Sequence, residues 1–144
     1  MSKAPLYSGL IQFLIELLQP YLPAGCSIRT EQPLRLSDSC PEPDIAVVEG
    51  SARQFLQQHP ATARLVIEIA VSSEAIDREK AAIYAEAGVE EYWIVLLERG
   101  VIECFTQPAA GAYHHHAVIP AGNAACSAGL PGFAVNLNTI LNGG

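Results

Sequence analysis

Basic side chains are scarce in this chain: 8 lysines and arginines stand against 15 aspartates and glutamates, for a net charge of −7. Bulk electrostatics therefore does not hold it to a polyanion, because nucleic-acid affinity grows with the number of phosphates neutralised. The same excess of acid leaves another partner open, since a divalent-cation site must itself gather carboxylates. Long hydrophobic runs are also missing. Apolar residues make up 50% of the sequence but are dispersed, and none of their runs approaches the roughly 18 residues of a membrane span. The opening MSKAPLYSGLIQFLIELLQPYL has one early lysine and no clear cleavage site. Gln12, Glu16 and Gln19 interrupt it, so an amphipathic helix is expected there and not a signal peptide. The 4 cysteines (26, 40, 104 and 126) fit no zinc spacing, and free thiols in a reducing cytoplasm are the expectation. Repeats and low-complexity tracts are absent, and the glycines of AAGAY and PAGNAACSAGLPG match no phosphate-binding motif.

What is present is enough for a core. A chain of 144 residues can form one domain, spanning 1–144, without staples. Apolar residues at 10, 11, 14, 17 and 18 predict a helix over 6–19, ended by Pro20 and Pro23. One or two short strands are expected in 26–38, broken at Pro33, then a strand at 44–48 and a short helix around 51–57. ARLVIEIAVS (63–72) is apolar on both faces apart from one glutamate, the mark of an interior strand. A helix over about 74–87 follows, with Gly88 at its end, and Ser72 and Ser73 most simply cap its start. Strands at 91–97, 100–107 and 112–120 come next, and 130–141 holds a turn and a short terminal element. The order implies an α/β (α+β) domain: a central mixed sheet flanked by helices, with a parallel β-α-β unit from 63 to 97.

Three charged groups occupy positions where charge is expensive. Asp44 begins the strand Ile-Ala-Val-Val, and Glu68 interrupts LVIEIAV on the face of Val66 and Ala70. Lys80 falls on a helical stripe with Ile76, Ile83 and Ala87. An isolated buried ion costs several kcal/mol, so such groups are paired or hold a metal. Blander readings exist for each one alone. Asp44 could be a solvated strand entry, Glu68 could pair with Arg64, and Lys80 could snorkel its ammonium to water. Taken together, two carboxylates, a magnesium ion and a lysine balance in charge and form the parts of a phosphodiesterase. His114 and His116 share one strand face without further candidate ligands, and Tyr84, Tyr92 and Trp93 read as packing.

PEPDIAVV, LVIEIAVSS, DREKAAIYAEAGVEEYWIV and LPGFAVNL resemble a large bacterial family of restriction-endonuclease-like proteins, long a domain of unknown function, within the PD-(D/E)xK nuclease superfamily. The resemblance covers about residues 41–137 and is most specific in the Asp-x-x-Lys…Tyr…Gly-Val-x-Glu-Tyr-Trp run. It implies a restriction-endonuclease-like core with Asp44 as the Asp of the motif, Glu68 as its (D/E) and Lys80 as the catalytic lysine. That lysine is relocated to the helix, because Ala70 stands two residues after the acid. Asp77 matches a supporting acid of the family, and the Ile69 carbonyl would join Asp44 and Glu68 as a metal ligand.

The implied activity is Mg2+- or Mn2+-dependent hydrolysis of DNA phosphodiester bonds by a cytoplasmic homodimer. Two features depart from the family. Tyr7 lies near where a histidine is expected, the acidic N-terminal extension being absent, and Leu96 replaces an aspartate. Together with the acidity of the chain they keep an alternative open: a nuclease-fold binding or oligomerisation module without turnover.

Overall fold

In the computed structural model, which describes residues 5–71 and 74–142, a six-stranded sheet separates two apolar layers. Helix α1 (Pro5–Leu18) leads into a single 3-10 turn and then to β1 (Cys26–Thr30). An irregular stretch follows before β2 (Ile45–Glu49), a 3-10 turn at Ala52–Leu56, and β3 (Leu65–Ala70). Next come α2 (Glu74–Glu86), β4 (Glu91–Leu96), β5 (Val101–Ala109) and β6 (Ala112–Pro120). The chain closes with β7 (Ala124–Cys126), β8 (Ala134–Asn136) and α3 (Leu137–Leu141).

Strand order in the sheet is β1-β2-β3-β4-β5-β6. Only β3 and β4 run parallel, in the register Leu65↔Glu91 to Ala70↔Leu96, and α2 is the crossover that a parallel pair requires. Both strands are buried along their whole length, as their β-branched and aromatic residues on two covered faces demand. Alternation then sorts the side chains. Ile45, Val47, Leu65, Ile67, Trp93 and Val95 face α1, which contributes Leu10, Ile11, Leu14 and Leu18. Ala46, Val48, Val66, Tyr92, Ile94 and Leu96 face α2, which contributes Tyr84.

Three expectations need correction. Residues 33–38 form no strand, although Leu34 and Leu36 are buried. Their amides bond to Pro41, Pro60 and Ser39 carbonyls instead of to a ladder, because Pro33 and the turn around Ser37 and Asp38 leave too short an extended run. PAGNAACSAGLPG (120–132), whose composition reads as a loop, contains β7, which pairs with β8 in a small second sheet. Finally, the stripe of α2 is rotated. Ile83 is 40% exposed, whereas Tyr84 is 0% and Ala85 5% exposed, so the buried side runs through Lys80, Ala81, Tyr84 and Ala85. Ser72 and Ser73 lie outside the described residues.

Candidate active site

The pairing of β2 with β3 ends at Ile45↔Ile67. Beyond that point β3 continues alone on this side, and backbone groups of 68–70 would be orphaned in a buried place. Two carboxylates fill the gap. The Asp44 amide donates to Glu68 Oε1 at 3.1 Å, and the Ile69 amide donates to Asp44 Oδ2 at 2.7 Å. The acids thus replace ladder partners where the strands part, which fixes their rotamers. Asp44 is 8% and Glu68 4% exposed.

Helix α2 supplies the counter-charge. Lys80 Nζ donates to Glu68 Oε2 at 3.0 Å, and the Tyr84 hydroxyl donates to the same oxygen at 3.3 Å. Positions i and i+4 lie above one another on a helix, so one face brings both donors to one carboxylate. From the opposite layer the Tyr7 hydroxyl of α1 donates to Asp44 Oδ1. All four carboxylate oxygens therefore accept a hydrogen bond.

The electrostatics follows from this inventory. Burial raises the Glu68 carboxyl above its ordinary value; Lys80 opposes that shift and the Asp44 carboxylate reinforces it. Burial likewise pushes the Tyr7 phenol up, aided by its bond to Asp44, so the hydroxyl stays protonated and donates. Among the described residues one ammonium, that of Lys80, is bonded to this pair of carboxylates, and a cation here would relieve their repulsion.

Asp44, Glu68 and Lys80 are thus brought together, and Arg64 is not part of the cluster; it lies 3.9 Å from Glu49. The Ile69 carbonyl leaves β3 on the side of its amide, which is the Asp44 side, since alternate residues such as Ala70 bond to β4. Asp77 belongs to α2, and its side chain lies outside the described residues. Leu96 is 2% exposed and stands beside Ala70 in the ladder, packed in the α2-side core. Among the described residues no group of three or more His, Cys, Asp or Glu could hold a metal ion. A cation at Asp44 and Glu68 would therefore rely on two carboxylates, a carbonyl and water, the donor set Mg2+ accepts.

Several contributors escaped the sequence. Tyr84 read as packing, yet its hydroxyl belongs to the site; its place one turn after Lys80 was the available signal. His116 is not a bare strand residue: its Nε2 lies 2.8 Å from Glu103 Oε1. Arg78 binds the same carboxylate, with Nε 3.0 Å from Oε2 and one terminal nitrogen also on Oε2. Glu91, 2% exposed, accepts from the Ser127 hydroxyl at 2.6 Å and from the Ala128 and Gly129 amides at 3.1 and 2.8 Å. It anchors the segment after β7.

A mixed sheet covered by helices on both sides, with an aspartate, a glutamate and a lysine gathered where two strands part, is the restriction-endonuclease-like class of nuclease fold. A crystal structure from Anabaena variabilis ATCC 29413, described as a putative nuclease belonging to DUF820, shares it. The two superpose with a TM-score of 0.72 at 12% identity, over 94% of this chain and 77% of that one. The chain itself belongs to the Uma2 family, described as "Putative restriction endonuclease", whose model matches residues 1–138. No curated protein matches.

Proposed function

We propose that this chain is a divalent-cation-dependent endonuclease that hydrolyses DNA phosphodiester bonds. The observation that supports this best is the interlock of Asp44 with Glu68, with Lys80 Nζ 3.0 Å from Glu68 Oε2. Asp44, Glu68 and the Ile69 carbonyl would hold Mg2+ or Mn2+. The bound cation supplies Lewis acidity toward the phosphodiester and lowers the pKa of water. The protein's own groups do the rest. Ile69 N–H fixes the plane of Asp44, and Tyr84 fixes that of Glu68. The Lys80 ammonium, on the site's open side at 33% exposure, orients the attacking water and stabilises charge developing on the phosphate. Asp77 is assigned a supporting acidic role from its place one turn before Lys80.

Titration with Mg2+ and Mn2+ on plasmid and short duplex substrates tests this reading. Glu68→Ala and Lys80→Ala should each abolish or severely reduce cleavage, and cleavage surviving either one sinks the assignment. A second reading, a nuclease-fold binding or oligomerisation module without turnover, is favoured by the net charge of −7. It is supported if DNA or a second copy binds while no cation elicits cleavage. A homodimer would suit either reading, two sites facing two strands in the first, and sedimentation measures it.

A further inference from the structure

Tyr7 enters the site from the layer opposite Lys80. It precedes Leu10 and Ile11 by three and four residues, so all three lie on the face of α1 turned to the sheet. Its ring packs against the α1-side core, and its hydroxyl donates to Asp44 Oδ1. The other Asp44 oxygen is held by the Ile69 amide at 2.7 Å, a backbone donor locked into β3 that cannot turn away. Oδ1 is held by a side chain, which can. A phenolic O–H and a divalent cation are both drawn to Oδ1, and a cation there crowds the phenol and draws off the charge on which its hydrogen bond depends.

From this we infer that Tyr7 is a positioning residue that holds Asp44 while no cation is bound and gives up Oδ1 when a divalent cation arrives. The hydroxyl gives Asp44 Oδ1 a donor beside a second buried carboxylate, Glu68, to which Lys80 and Tyr84 donate. Tyr7 is only partly buried, so the released hydroxyl can exchange its partner for water. The cost of that release weakens cation binding by the worth of one hydrogen bond to a charged acceptor. The inference rests on the reading of Asp44 as a cation ligand.

Mn2+ binding to the full chain, followed by calorimetry and by the EPR signal of free Mn2+, tests it on wild type, Tyr7→Phe and Asp44→Asn. Tyr7→Phe keeps the ring and its packing, and far-UV circular dichroism checks the fold. It should bind Mn2+ about tenfold to 100-fold more tightly than wild type. In EDTA the same variant should melt below wild type, and saturating Mn2+ should narrow or invert that gap. Tyr7→Leu, which also removes the donor, should shift affinity in the same direction. Equal or weaker Mn2+ binding by Tyr7→Phe, with wild type binding and Asp44→Asn not binding, overturns the competition and leaves the cation site standing. Binding by none of the three proteins overturns the cation site and the competition with it.

Discussion

Glu68 and Glu103 occupy one row of the sheet, in register through Ile94, and point to the same face. They are 4% and 2% exposed, and α2 sends a cation to each: Lys80 to Glu68, Arg78 to Glu103. Burial works against ionisation in both. The outcome nevertheless differs in sign, because Glu68 ends above its ordinary value and Glu103 below it. At Glu103 the hydrogen bonds of Arg78 and His116, with the charge of Arg78, outweigh burial; at Glu68 the neighbouring Asp44 carboxylate works against Lys80. The clamp of helix on sheet is similar, and the second neighbour decides whether a carboxylate is finished or still short of positive charge.

Breaking the two ends of the row should therefore have opposite consequences. Glu68→Gln or Lys80→Ala should lower Mg2+-dependent cleavage by about 100-fold to 1000-fold or more, while Glu103→Gln should leave cleavage within a few-fold. The cost of Glu103→Gln should appear in stability, about 2 kcal/mol for charge-assisted hydrogen bonds lost to a buried acceptor. Differential scanning calorimetry should record this as a fall of roughly 4–8 °C in Tm.

The pH dependence of Tm in EDTA separates the two more finely. The folded-state pKa of Glu103 lies below the ordinary glutamate value of 4.5. Its stabilising contribution is thus present above 4.5 and lost as pH falls through the folded value. Glu103→Gln should remove this acid-side loss. Glu68 behaves in reverse: its folded pKa lies above 4.5, so its contribution is complete below 4.5 and is lost as pH rises through the folded value. Glu68→Gln should flatten that higher-pH slope.

Smaller effects sharpen the contrast. Tyr84→Phe keeps the buried ring and removes one donor to Glu68, an expected loss of about 1 kcal/mol in urea denaturation. On the other carboxylate, His116→Ala should cost about 0.5–1 kcal/mol for a half-exposed pair. His114 shares its strand face but reaches only the Ala109 carbonyl from an exposed position, so His114→Ala should stay within about 0.5 kcal/mol. Equal effects at the two histidines would mean that Glu103 does not depend on His116.

The sequence made Asp44, Glu68 and Lys80 visible because a charge inside an apolar run is conspicuous. The interior strand 65–70 and the crossover helix were visible for the same patterned reason. Glu103 sits in VIECF, as conspicuous a setting, yet it passed unremarked because no known motif spacing reached it and its partners lie on α2 and β6. Tyr84 stayed hidden because a tyrosine ring packs like any apolar residue, and Tyr7 was marked only as standing near an expected histidine, since only the fold shows where a hydroxyl ends. β7 was missed because Asn-Ala-Ala-Cys has neither β-branched residues nor clear alternation, so its pairing is set by β8 and by the apolar surface beneath. Ile83 was placed on the wrong side of α2, since a stripe drawn at i+3 and i+7 drifts from the line that Lys80 and Tyr84 share.

The one tryptophan of the chain, Trp93 on β4, is 1% exposed and stacked on Phe133 with ring centroids 5.6 Å apart. Alternation places this indole on the face of the sheet opposite Glu68. Its fluorescence is therefore an optical gauge of how the segment around Phe133 seats on the sheet, read from behind the carboxylates. Adding Mn2+ from the front should leave its emission wavelength unchanged, whereas unseating Phe133 should shift it to the red.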